Sequence, residues 1–174
     1  MSCFFRCRLL GVVLLALVLL ASTPAPGRAD VVADANRAVQ AQADGELGLA
    51  MELYTRILDS GEVHPGEGLY SYLLINRALI HKTRGQTEQA LVDLDKSIAA
   101  KPDHAAFFNR GIIRVEQNRR EEALADFDRA IELNPRYAKA YRERGELLLR
   151  MNQAERGRAD LNKARELELK IEFQ

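Results

Sequence analysis

The side chains of residues 30–174 best suited to catalysis are three histidines, three serines and three threonines, and their spacing serves no chemistry. His64, His81 and His104 stand 17 and 23 residues apart, so no His-x-x-x-His pair brings two imidazoles to one helix face. Zinc sites need a tighter ligand set and lean on cysteine, yet Cys3 and Cys7 both lie at the extreme N-terminus. No glycine-rich phosphate loop follows a strand, because no segment reads convincingly as a strand. The acidic pairs Asp93/Asp95 and Asp126/Asp128 are spaced by two and diverge around a helix axis. General acid–base chemistry needs two groups converging on one substrate atom. These carboxylates therefore read as a solvated helix face, and His81 as an interior or groove histidine. The expectation is no enzyme, no metal and no cofactor.

One polar pattern does recur. Arg77, Arg110 and Arg144 precede Asp93, Asp126 and Asp160 by 16 residues each time, so whatever relation one pair has the others share. A basic ladder for acidic ligands is one reading. The preferred one is a structural ion pair within each unit, because guanidinium offers a planar fork to a carboxylate. Arg37 has Leu53 where the acid belongs, so it is expected to be unpaired or paired differently.

Positioning that pattern requires a repeated element. Asn36-Arg37-Ala38 returns as Asn76-Arg77-Ala78, Asn109-Arg110-Gly111 and Glu143-Arg144-Gly145, at intervals of 40, 33 and 34 residues. Seven residues after each small residue stands Gly45, Gly85, Asn118 or Asn152, residue types that tolerate the left-handed conformation ending a helix. Five further on come Ala50, Ala90, Ala123 and Gly157, then Tyr54, Leu94, Phe127 and Leu161 after four more. Each copy reads as two helices, with Ala123, Leu124, Phe127, Ala130 and Ile131 forming a buried stripe. Pro102 and Pro135 forbid continuation and launch the next unit. Gly111 is expected to face Ala123 and Ala130 across its hairpin. The 40-residue interval carries six extra residues within Gly61–Gly68, which read as a loop after a loosely attached first pair.

These residues resemble the tetratricopeptide repeat family. Phe107, Gly111, Ala123, Phe127, Ala130 and Pro135 carry the likeness in the third copy; Ala78 and Ala90 carry it in the second, Gly145 in the fourth. The first copy is degenerate, with Asp34 in a large-residue place and Ile57 in a small one. The resemblance implies an all-α fold: an α-solenoid of about four helix-turn-helix repeats, near 31–64, 71–103, 104–137 and 138–171, forming a right-handed superhelix. It also implies a concave groove lined by first helices. Carried over, the groove positions are Tyr72, Ile75, Leu79 and Lys82, then Ala105, Phe108, Ile112 and Val115, then Lys139, Arg142, Glu146 and Leu149. The groove is thus expected to be apolar in the middle and basic at its far end. Ile75, Leu79 and Ile112 stand where the family's chaperone-tail binders place their carboxylate clamp, so that clamp is not expected.

Arg6 and Arg8 precede a thirteen-residue apolar run, Leu9 to Ala21, followed by small residues and prolines. That is the pattern of a secretory signal peptide, with Gly27-Arg28-Ala29 as cleavage tripeptide. Thirteen helical residues span roughly 20 Å, short of a hydrocarbon core of about 30 Å. An uncleaved membrane anchor is the alternative. Without residues 1–29, the domain 30–174 carries 22 basic and 25 acidic residues, a net charge of −3 that argues against nucleic acid. The reading that follows is an exported, periplasmic or secreted, module that binds a partner protein or peptide in its groove. The alternatives are a structural subunit that self-associates as a homodimer through an uncapped C-terminal end, and an accessory domain regulating an envelope enzyme. For the uncapped end the apolar candidates are Leu161, Leu167, Leu169, Ile171 and Phe173.

Overall fold

The computed structural model describes residues 28–172, with side chains from Asp30 to Leu169. The expected signal segment, and the side chains of Ile171 and Phe173, lie outside the described residues. Eight α-helices and no strand are found among them: α1 Arg28–Ala43, α2 Leu47–Asp59, α3 Gly68–Thr83, α4 Thr87–Ala100, α5 His104–Glu116, α6 Arg120–Leu133, α7 Ala138–Arg150 and α8 Ala154–Glu172. They pack as four hairpins, α1/α2 to α7/α8, each second helix also touching the first helix of the next hairpin. The result is an α-solenoid.

The hairpin turns fall on the residues that the repeat offsets single out. Gly45 and Gly85 have φ of +81° and +71°, and Asn118 and Asn152 both have φ of +59°. At each turn the following residue's N–H reaches back five residues, as in Gln86 N to His81 O at 2.9 Å and Arg119 N to Arg114 O at 2.8 Å. The turn residue itself donates to the carbonyl three before it, closing the helix end with a paired set of backbone bonds. Glycine adopts this conformation freely and asparagine at modest cost.

Successive repeats join through one row on each first helix. Leu73 and Ile80 pack into the core of the first repeat, Ala106 and Ile113 into that of the second, and Leu147 against Ala123 and Phe127 of the third. Burying a side chain of Leu or Ile size contributes about 1.5–3 kcal/mol. The loop between α2 and α3 is not loose: Val63 is buried within the first core cluster and anchors the insertion against α1–α3.

Glycine is used where hairpins close most tightly. A Cβ on Gly111 would lie 2.7 Å from the Phe127 ring, the group that comes nearest to it across the hairpin. Gly145 and Gly157 face each other, and a Cβ on either would meet the other's carbonyl oxygen at 2.9 or 2.8 Å. Gly157 looks like a departure from the alanine pattern in sequence; in the fold it lets α7 and α8 touch backbone to backbone.

The arginines form a continuous ladder. Arg77 Nε and Nη2 donate to Asp93 at 2.7 Å each, and Arg144 binds Asp160 the same way at 2.7 and 2.8 Å. Arg110 grips Asp126 at 2.7 Å through Nη2. The remaining Nη1 turns back to the preceding repeat: Arg110 to Asp95 at 2.7 Å, Arg144 to Asp128 at 2.6 Å and Arg77 to the Thr55 hydroxyl at 3.4 Å. The two acids of each Asp-x-Asp pair do diverge, and both are used. One binds the arginine of its own repeat and the other binds the arginine of the next. In the first repeat Arg37 is exposed and pairs with no described residue, while Asp34 in its large-residue place pairs with Arg56 of α2 at 3.3 Å.

Candidate functional site: the first-helix face

The first helices α3, α5 and α7 touch in sequence, and the side facing away from the second helices is the face the repeat register marks as a groove. Lys82 Nζ of α3 lies 2.7 Å from Glu116 of α5, which fixes those positions side by side. Burial pushes the Glu143 carboxyl of α7 up, Glu146 adds to that, and Arg150, Arg142 and Lys82 oppose it.

Exposure along this face is uneven. Tyr72 is exposed, whereas Ile75, Leu79, Lys82, Phe108, Ile112 and Val115 are half-buried and Lys139 and Arg142 are exposed. The Phe108 ring leans away from water, edge-on to Tyr137 at 5.1 Å and tilted against Phe127 at 6.0 Å. Ile112 and Val115 pack on the cluster of Ala123, Phe127 and Leu147. The middle of the groove is therefore partly covered by its neighbours. Its far end is not simply basic: Arg142 is tied to Glu168, and Glu143 and Glu146 stand among Lys139, Arg142 and Arg150.

The apolar surface left in water lies at the groove's flanks. The exposed large hydrophobics are Val32, Val39, Tyr72, Val92, Leu133, Leu149 and Leu169. Val32 and Val39 on α1 are 40 residues before Tyr72 and Leu79, the interval separating the first two repeats, so they are groove positions. The degenerate first copy hid them, although the interval alone would have found them. Leu149 occupies the place held by Lys82 and Val115 in earlier repeats. Four of these seven exposed hydrophobics thus share the first-helix face.

Between α3 and α5 this face opens into a cavity of about 370 Å³, lined by Gly68, Ser71, Tyr72, Ile75, Asn76, Lys101, Asp103, His104 and Ala105. Tyr72 and Ile75 are brought together there as the register predicts, with Ala105 of the next repeat opposite. Asp103 caps α5, its carboxylate accepting from the Ala105 N–H at 2.7 Å. The other residues around the cavity lie at hairpin ends, where sequence offsets give no sign of a shared space.

Among the described residues, the outward rows at both ends of the array carry no large apolar side chain. Leu91, Asp95 and Ile98 of α4, and Leu124, Asp128 and Ile131 of α6, face the next repeat; the same register on α8 gives Arg158, Asn162 and Arg165, all exposed. At the other end Ala33, Arg37 and Gln40 of α1, also exposed, replace the Leu73, Arg77 and Ile80 row. Of the five apolar candidates for an uncapped end, Ile171 and Phe173 lie outside the described side chains and the other three divide. Leu161 leans on Gly145 and Leu167 is buried, leaving Leu169 exposed at 50%. The physical reason is rotational. Leu161 and Leu167 lie on the side turned to α7, and Arg158 and Arg165 on the side where a further repeat would stack.

Residues 111–152 match the TPR repeat family model. That stretch reads as tetratricopeptide repeat sequence. The whole TPR array superposes on solved structures at low identity. MamA from Desulfovibrio magneticus RS-1 is 18% identical over 82% of this chain and 78% of that one, with a TM-score of 0.66. PilF from Pseudomonas aeruginosa is 20% identical over 78% and 60%, at 0.69. A tetratricopeptide repeat protein from Parabacteroides merdae is 21% identical over 76% and 51%, at 0.64. Likeness at this level establishes the fold alone. No curated protein sequence matches the chain. No cluster of three His, Cys, Asp or Glu able to hold a metal occurs among the described residues, and no described helix is long and apolar enough to cross a membrane.

Proposed function

We propose that this TPR array is a non-enzymatic module that holds an apolar segment of a partner protein along its first-helix face. It does so outside the cytoplasm, in the cell envelope, after export directed by residues 1–29. The observation that carries the reading is the distribution of wet apolar surface. Val32, Val39, Tyr72 and Leu149 share the first-helix face, while the outward rows at both ends of the described array carry no large apolar side chain. Exposed hydrophobics gathered on one concave side mark an interaction site more than the same residues scattered singly. Self-association through α8 has less support, since its outward stripe is Arg158, Asn162 and Arg165.

The test is photo-crosslinking from position 72 in an envelope fraction, repeated with Val39→Glu and Leu149→Glu. These positions are exposed, so the variants are expected to keep wild-type helicity and lose the crosslinked partner. Undiminished crosslinking in both would remove the groove from consideration.

A further inference from the structure

Cations gather along one edge of the first-helix face, where the later hairpins join. Lys101 precedes α5, and Arg136 and Lys139 flank the start of α7; all three are exposed and form no ion pair with a described residue. The two joints are neighbours. The His104 ring meets the Tyr137 ring edge-on at 4.9 Å, and Asp103 adds to the upward push that burial gives the Tyr137 phenol. Asp103, the acid between them, is engaged as the cap of α5 by the Ala105 N–H and lies 3.8 Å from His104. Lys101 also stands at the rim of the cavity whose wall includes Tyr72, Ile75 and Ala105, so the cations border apolar surface. Residues 30–174 carry 22 basic and 25 acidic residues, so unmatched cations at one edge run against the average of the domain.

We propose that this edge receives an acidic segment of a partner protein, extended across the starts of α5 and α7, with two carboxylates about three residues apart. The spacing follows from the fold. The helices α5 and α7 are in contact, which sets their axes about 8–10 Å apart, and an extended chain rises about 3.3 Å per residue. One carboxylate lies over Lys101 and the other over Arg136 and Lys139. An apolar residue beside the first acid lies over the cavity at Tyr72 and Ile75. Glu67, one residue before Gly68 on the opposite rim, keeps the acids on the α5 side. This deepens the groove reading and rests on it.

The probes are three acetylated and amidated peptides, Leu-Glu-Ala-Ala-Glu, Leu-Gln-Ala-Ala-Gln and the isomer Leu-Glu-Glu-Ala-Ala. They are titrated at low salt into isotope-labelled protein and followed by amide shifts of residues 103–105 and 136–140. Leu-Glu-Ala-Ala-Glu is expected to bind about threefold to tenfold more tightly than the Gln peptide, the worth of two exposed ion pairs, and more tightly than its isomer. The preference for Glu over Gln is expected to fade with added salt and to vanish when Lys101→Gln and Lys139→Gln are combined. Lys96→Gln, at an exposed lysine that lines a different cavity, between α3 and α4, is expected to keep it. Equal affinity for the Glu and Gln peptides in the wild type overturns the proposal, as does a preference that survives the double substitution or shifts confined to other residues. Tighter binding of phosphatidylglycerol vesicles or single-stranded DNA at the same residues also overturns it, because either would replace the protein segment. If the peptides fail while crosslinking from position 72 succeeds, the edge assignment falls and the groove reading stands. Loss of both removes both.

Discussion

Asp126 is the most heavily loaded acid in the ladder, and its removal gives a graded test of how the repeats are held. Its side chain is 3% exposed and binds two guanidinium groups, Arg110 and Arg114, each at 2.7 Å. Asp126→Ala takes the shared buried acid from two cations whose side chains are only 16% and 17% exposed, leaving Arg110 the surface Asp95 and Arg114 the surface Glu122. Breaking a buried pair by removing one partner costs roughly 3–5 kcal/mol, most of it the penalty of an uncompensated charge. Asp95 binds the same Arg110 from the surface, 60% exposed, and its loss leaves Arg110 held by Asp126. Asp95→Ala is therefore expected to cost about 0–1 kcal/mol. Urea unfolding followed by circular dichroism at the helix band reads the difference. With a slope near 2 kcal/mol/M, the midpoint falls by about 2 M for Asp126→Ala and by under about 0.5 M for Asp95→Ala. Raising salt narrows the Asp95 effect and leaves the Asp126 effect largely in place, because buried pairs are poorly screened. Equal costs for the two substitutions would refute the argument that burial, and not pairing alone, sets the worth of each rung.

Gly157→Ala is expected to destabilise by about 1–3 kcal/mol despite alanine's better helix propensity, because its Cβ would meet the Gly145 carbonyl oxygen at 2.8 Å; an unchanged melting temperature would count against that close approach. Burial pushes the Tyr54 phenol, bonded to Gln42, up to about 12, with nearby Tyr72 adding to the shift. The folded state then retains a proton that the unfolded state loses, so the associated stability is intact below pH 10 and fades as pH rises through about 12, visible as a late step in the ultraviolet titration. Sedimentation is expected to show a monomer, and a dimer dissolved by Leu169→Ser would restore the α8 end as an interface. Terminal sequencing of the exported protein is expected to start near Asp30, whereas recovery of an intact N-terminus from membranes would make the apolar run an anchor.

The repeat period was legible because each offset is a local requirement. A left-handed residue must end every first helix, so Gly45, Gly85, Asn118 and Asn152 announce the turns before any packing is known. The constant 16-residue step from arginine to aspartate likewise spans one hairpin, and a relation confined to one hairpin can be read from one stretch of chain. The register of the first helices was legible for the same reason in the well-formed copies, and was missed at Val32 and Val39 where the first copy departs from the pattern.

What the sequence alone determined is thus the periodic part: helix ends, hairpin partners and the ion pair within each repeat. What only the tertiary structure decided lies between repeats. That Asp95 and Asp128 serve the following arginine, that Phe108 turns toward Tyr137, that Val63 pins the insertion and that Tyr72 and Ile75 line a cavity with Ala105 all depend on the angle at which one hairpin stacks on the next. The same holds for the polar end on α8. Hydrophobic residues at a chain's end can face inward or outward, and one helix turned about its axis exchanges the two. That rotation is fixed by the fit of α8 against α7 through Gly145 and Gly157, a contact between residues twelve apart that no local propensity encodes.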